Sequence, residues 1–171
     1  MKARQRVFET PWFAVSSVAQ DDGQPYYMLE LPDYVSVIAV TADSRMIFVR
    51  QFRPVVGRHT IELPSGHVDQ GESPETAARR ELLEETGYVA GEMQLLGTLV
   101  PDVGRLANRM WCYFAPRVTQ GDGASPRESG VSTVELPVDE ALSYAADGRM
   151  DHALNLAPLF LALAQRKLLL V

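Results

Sequence analysis

Glu72, Glu81, Glu84 and Glu85 lie within fourteen positions, inside the stretch GESPETAARRELLEETG at 71–87. On a helix Glu81 and Glu84 stand at i,i+3 and Glu81 and Glu85 at i,i+4, so their carboxylates share one face. Like charges at that spacing cost a helix about 0.2–0.5 kcal/mol each, and something must offset them. Surface ion pairs with Arg79 and Arg80 could do so, at about 0–1 kcal/mol apiece. So could a hard divalent cation, which takes oxygen ligands. The preceding loop bears on the choice. Gly66 and Gly71 lie in a turn that runs straight into the helix, with Glu72 at its mouth. Glycine there permits positive φ or a close backbone approach. A loop carbonyl beside two or three carboxylates would form half a shell for magnesium, completed by water and substrate phosphate.

These residues need elements to hold them. The helix spans 74–86, with Ser73 as cap, Pro74 at the first helical position and Gly87 as stop. Upstream, strands are expected at 12–18 and 26–31, separated by Asp21-Asp22-Gly23. A hairpin pairs 35–40 with 46–52, and HTIEL is a short strand entering the Pro/Gly loop. Downstream come strands at 93–100 and 109–118, a loop at 119–130 and a strand at 131–136. A helix opened by Pro137-Val138-Asp139-Glu140 and an amphipathic helix over 153–167 follow. With no repeat and no linker-like composition break, 1–171 is expected to be a single domain. Its fold class is α/β, a mixed sheet with helices packed on it.

Composition narrows the chemistry. Hydrophobic residues make up 46% and charged residues 22%, an ordinary globular balance. Cys112 stands alone, excluding an internal disulfide or a thiolate metal cluster and suiting a reducing, cytoplasmic setting. MKARQRVFETPWFAV has no signal-peptide core, and the apolar run 153–171 is interrupted by Pro158, Gln165, Arg166 and Lys167. No membrane partner is expected. A net charge of −6 argues against nucleic acid as a partner. An anionic substrate would therefore need local arginines or a metal.

Segment 66–88, GHVDQGESPETAARRELLEETGY, resembles the Nudix box, G-x5-E-x7-R-E-U-x-E-E-x-G-U with U a bulky apolar residue. Gly66, Glu72, Arg80, Glu81, Leu82, Glu84, Glu85 and Gly87 match at the required spacing, and Tyr88 takes the final apolar place. The resemblance implies an α/β/α sandwich in which the box forms a loop–helix–loop metal site. It implies Glu81, Glu85 and Glu84 as ligands of Mg2+, or of Mn2+ as a substitute, with the Ser65 carbonyl as a further ligand. Arg80 would orient the carboxylates, and Glu72 would brace the loop, pairing with Arg80. The activity implied is hydrolysis of a diphosphate bond within a nucleoside-diphosphate derivative, with Glu85, Glu84 and Arg80 in the catalytic machinery.

The flanks are similar to the ADP-ribose and nucleoside-diphosphate-sugar pyrophosphatase branch. Arg53 in Gln51-Phe52-Arg53 and Glu62 before Leu63-Pro64 correspond to residues that hold substrate there, and Arg105 is a third substrate-binding candidate. Val103 occupies the place of that branch's marker proline, which favours a broader range of nucleoside-diphosphate sugars. An acid on a late loop positions or deprotonates the attacking water in that branch, and Glu128 stands in that place. The branch also implies a homodimer built partly from the strands within 1–34. Two other readings stay open: a pyrophosphatase acting on NADH, dinucleoside polyphosphates or modified nucleotides, and a ligand-sensing domain without catalysis.

Overall fold

The computed structural model of the chain describes residues 3–123 and 129–168. Three antiparallel strands, β1 (Arg4–Glu9), β2 (Ala14–Ala19) and β3 (Pro25–Glu30), form a small sheet. The larger sheet begins with β4 (Tyr34–Thr41), β5 (Arg45–Arg53), β6 (Arg58–Glu62) and β7 (Ser65–His67). After α1 (Pro74–Thr86) it continues with β8 (Tyr88–Val89), β9 (Gln94–Leu99), β10 (Met110–Gln120) and β11 (Ser132–Pro137). Helices α2 (Val138–Ala146) and α3 (Ala153–Ala164) follow. The strand order is β11-β5-β4-β10-β8, with β6 on β5, β7 on β4 and β9 on β10. β4 and β10 run parallel and the other named pairings antiparallel, so the sheet is mixed.

Helices cover both faces of this sheet, which explains why β4 reads as an almost unbroken apolar run. Val35, Val37 and Ala39 turn one way and pack with Ala77, Ala78 and Leu82 of α1. Ile38 turns the other way and joins Met46, Phe48 and Cys112 beneath Ala141 of α2 and Leu159 and Ala162 of α3. The layers are helix, sheet and helix, the expected sandwich.

The structure corrects several element boundaries. The first strand is β1, a segment the residue pattern did not mark. All its residues are exposed, so no alternation betrays it, and only pairing with β2 makes it a strand. The expected strand at 12–18 begins at Ala14. The Pro/Gly loop contains β7, whose register with β4 pairs Tyr34 with His67, Val35 with Gly66 and Ser36 with Ser65. The last helix ends at Ala164, because Arg166 adopts φ 56, a left-handed conformation that breaks the turn.

α1 starts and stops as its end residues dictate. Ser73 accepts a hydrogen bond from Thr76 N–H, and Gly87 at φ 76 donates back to Leu83 O at 2.8 Å. Removing the cap by Ser73→Ala leaves a first-turn N–H without its partner and is expected to cost about 1 kcal/mol in urea unfolding.

Candidate active site

Strand β7 runs along the start of β4 and ends in a turn where Gly71 takes φ 85 and Glu72 N–H donates to Asp69 O. The chain then enters α1, which packs back over the strand it has just left. Glu85 lies at the buried edge of the helix, 4% exposed, and accepts Ser65 N–H at 2.8 Å. One turn earlier, Glu81 lies against Gly66. A Cβ built on Gly66 would stand 2.0 Å from Glu81 Oε1 and 2.3 Å from Oε2. The carboxylate therefore reaches the loop backbone only because residue 66 has no side chain. These two contacts seat the helix acids on the β7 backbone.

Arg80 supplies the positive charge among them. Its Nε and Nη2 hold both oxygens of Glu72 at 3.1 and 2.9 Å, and Nη2 also donates to His67 O at 3.0 Å. Its Nη1 reaches Glu81 Oε1 at 2.7 Å and Glu84 Oε2 at 3.2 Å. These bonds raise the Arg80 pKa above its ordinary value, and Arg80 in turn holds Glu72 below the usual carboxylate range. Arg79 takes no part: it pairs with Glu75 and donates to Ala90 O.

A hard divalent cation suits this donor set. Glu81, Glu84 and Glu85 carboxylates and the Ser65 carbonyl are all oxygen donors, and the Gly66 cradle admits a carboxylate where any larger residue would exclude it. Among the described residues, no three acid, histidine or cysteine side chains already converge as a finished metal shell. Arg80 Nη1 instead bridges Glu81 and Glu84.

The other predicted residues divide. Arg53 and Glu62 meet each other: Nε to Oε1 is 2.8 Å and Nη2 to Oε2 2.7 Å. The fork expected to clamp a phosphate is thus bound to a carboxylate. Glu62 is 2% exposed and also accepts Thr60 Oγ1 at 2.5 Å, with His152 Nδ1 at 3.9 Å. Burial alone would raise the Glu62 pKa, but the bonds from Arg53 and Thr60 and the Arg53 charge outweigh it and hold it below the usual range. Glu62 ends β6, three residues before Ser65, and Arg53 ends β5. Arg105 is held against the small sheet. Its guanidinium lies 4.7 Å over the Tyr26 ring, Tyr26 OH donates to Gly104 O, and Leu29 N–H donates to Arg105 O. A shallow pocket of about 180 Å³ opens beside Tyr26, Gly104 and Arg105. Val103, in the marker position, is 90% exposed. Glu128 lies outside the described residues.

Asp33 is a residue the sequence did not mark. Its carbonyl accepts Val68 N–H at 2.8 Å, Oδ1 accepts Arg109 N–H at 2.8 Å and Oδ2 accepts Trp111 Nε1–H at 3.4 Å. It ties the loop after β7 to the start of β10. The available signal was Pro32-Asp33 ahead of an apolar strand, a common turn pattern.

Comparison with known proteins identifies a family and a fold. A family profile described as NUDIX domain matches residues 30–157. The chain is 32% identical over 121 residues to the methanol dehydrogenase activator of Bacillus methanolicus, covering 70% of this chain and 65% of that protein. It is 32% identical over 113 residues to the ADP-ribose pyrophosphatase of Bacillus subtilis (strain 168), covering 65% and 61%. The chain thus matches under two thirds of the length of either relative. The crystal structure of an ADP compounds hydrolase superposes with TM-score 0.77 at 23% identity, over 96% of this chain and 92% of that one, a likeness of fold.

The Arg53–Glu62 pair carries a pH signature with a defined sign. The folded Glu62 pKa is depressed, so its contribution to stability is complete above the unfolded carboxylate value of about 4.3. It is lost as pH falls through the lower folded value. Glu62→Gln should therefore destabilise the protein at pH 7 by about 1.5–3 kcal/mol, the scale of a charge-assisted hydrogen bond. The difference between variant and wild-type urea midpoints should shrink below about pH 4.3. A gap that stays constant through acid pH would show that the pair is not its source.

Proposed function

The chain belongs to the NUDIX family, and on that premise we propose that it is a magnesium-dependent hydrolase. It cleaves the diphosphate of ADP-ribose or a related nucleoside-diphosphate sugar into a nucleoside monophosphate and a sugar phosphate. One observation carries the reading: Glu81 and Glu85 project from one helix onto the backbone of Gly66 and Ser65, with Glu84 linked to the same cluster through Arg80. The pyrophosphatase name of the Bacillus subtilis relative supports the substrate class.

Glu81, Glu84, Glu85 and the Ser65 carbonyl would hold the cation. Nudix hydrolases generally use divalent metal ions, and such an ion neutralises phosphate oxygens and acidifies water when bound. The residues of the chain supply order. Arg80, anchored through Nε and Nη2 to Glu72, keeps Glu81 and Glu84 on one side of the helix. Gly66 keeps the approach to Glu81 open. Arg53, the exposed member of its pair with Glu62, is the arginine proposed to meet a phosphate. Arg105 and the pocket beside Tyr26 would receive a more distant part of the substrate. Water attacks phosphorus in line, the bridging P–O bond breaks, and the departing oxygen leaves on the second phosphate. Glu128 is the proposed acceptor of the water proton, on the family resemblance.

The test is phosphate release, after added phosphatase, from ADP-ribose, ADP-glucose, GDP-mannose, NADH and diadenosine polyphosphates, with and without magnesium. Cleavage of the sugar nucleotides should require magnesium and fall at least about a hundredfold in Glu85→Gln, the scale of removing one preorganised electrostatic group. Preferential cleavage of NADH or the diadenosine compounds would move the substrate class. Binding of these compounds without cleavage would favour ligand sensing.

The resemblance also supports a homodimer. Val7, Phe8, Trp12 and Tyr27 of the small sheet and its connections are exposed apolar residues, and burying them against a second copy would remove that surface from water. Light scattering at micromolar concentration should give twice the chain mass of 18.9 kDa; the mass of one chain would reject the dimer.

A further inference from the structure

The layer between β4 and α3 contains buried polar atoms without a hydrogen-bond partner among the described residues. Tyr34 OH, Ser36 Oγ and Asn155 Nδ2 are among them. Ser36 is 2% and Asn155 3% exposed. Leaving such groups unpaired costs about 1–3 kcal/mol each, and native interiors leave few of them so.

Their places in the fold put them in one layer, on the α3 side of the sheet. Tyr34 and Ser36 are alternate residues of β4 and so face the same side of the sheet. Tyr34 packs in the cluster beneath α2 and α3, whereas Val35 and Val37 face α1. Ser36 is in register with Cys112 on β10 and with Ser65 on β7. Asn155 comes from the first turn of α3, where its Oδ1 accepts Leu63 N–H at 3.3 Å. Because Leu63 N–H can only donate, that bond fixes the amide orientation and turns Nδ2 away from it. Leu63 and Pro64 in turn lie beside Val37 of β4, whose N–H donates to Pro64 O.

The groups are neutral. Burial pushes the Tyr34 hydroxyl up to about 12, with a smaller contribution from Cys112, and pushes the Cys112 thiol up to about 12. Both keep their protons at neutral pH. An uncharged set of one amide donor and two hydroxyls that each donate and accept does not suit an ion. It does suit water, which usually makes about three hydrogen bonds when buried.

We propose that ordered internal water occupies this layer, accepting from Asn155 Nδ2 and bonding the Tyr34 and Ser36 hydroxyls. The water joins α3 to β4 behind the Leu63–Ser65 strap, on the opposite side of the sheet from α1. It thereby backs the strap whose Ser65 N–H donates to Glu85.

The sign of two conservative substitutions tests it. If the hydroxyls were simply unpaired, deleting them would leave stability unchanged or raise it. With water bound, Ser36→Ala and Tyr34→Phe each remove one of its partners and should lower Tm by about 2–4 °C. The double variant should lose less than the sum, since both act on one hydrated site. An unchanged or raised Tm in both single variants overturns the proposal. A crystal structure of the wild-type chain is the second measurement. Solvent density within hydrogen-bonding distance of at least two of the three atoms supports it, and a dry layer overturns it.

Discussion

Glu85 is a carboxylate placed where water scarcely reaches, 4% exposed at the foot of α1, and a group in that position needs a donor. The donor is a backbone N–H, that of Ser65. A helix acid is thereby fastened to a strand backbone, and much of the site follows. The bond sets how α1 lies over β7. That places Glu81 against Gly66, where a residue with a side chain would drive the carboxylate away. β7 can offer Ser65 N–H because its register with β4 is fixed by paired residues from Tyr34 to Ser36. Asp33, just upstream, steadies the far end of the same loop through Val68 N–H.

The concentration of negative charge is handled by one arginine. Arg80 divides its donors between Glu72 on the loop and Glu81 and Glu84 on the helix, with His67 O completing the set. In a chain of net charge −6, this local cation allows several carboxylates to face one another without unfolding the helix that carries them. A planar guanidinium can serve both sides at once because its donors form a rigid fork, which a lysine ammonium lacks. The Arg53–Glu62 pair repeats the principle at the end of β6, where a bidentate partner keeps a buried glutamate ionised.

The two faces of the sheet do different work. The α1 face is apolar up to the acids, with alanines at 77 and 78 letting the helix sit close to the strands. The α3 face contains a larger apolar cluster but also Tyr34, Ser36 and Asn155. Asn155 reaches across to Leu63 N–H, so the strap carrying Ser65 is supported from both sides.

Much of the site was legible in the sequence because its parts are local. Ser73, Pro74 and Gly87 bound α1 by short-range hydrogen bonding and backbone preference. The spacing of Glu81, Glu84 and Glu85 is a property of helical periodicity alone. The apolar segments 35–40 and 46–52 read as a hairpin, and β4 and β5 do pair antiparallel. What lay beyond reach depended on contacts between distant segments. β1 has no pattern of its own and exists through pairing. Asp33 gains its role from residues far away in sequence. Arg53 and Glu62 looked like two separate substrate contacts, yet the hairpin of β5 and β6 folds them into a pair. Sequence spacing determines which groups one element can present together; which backbone or countercharge they meet is decided only when the elements pack.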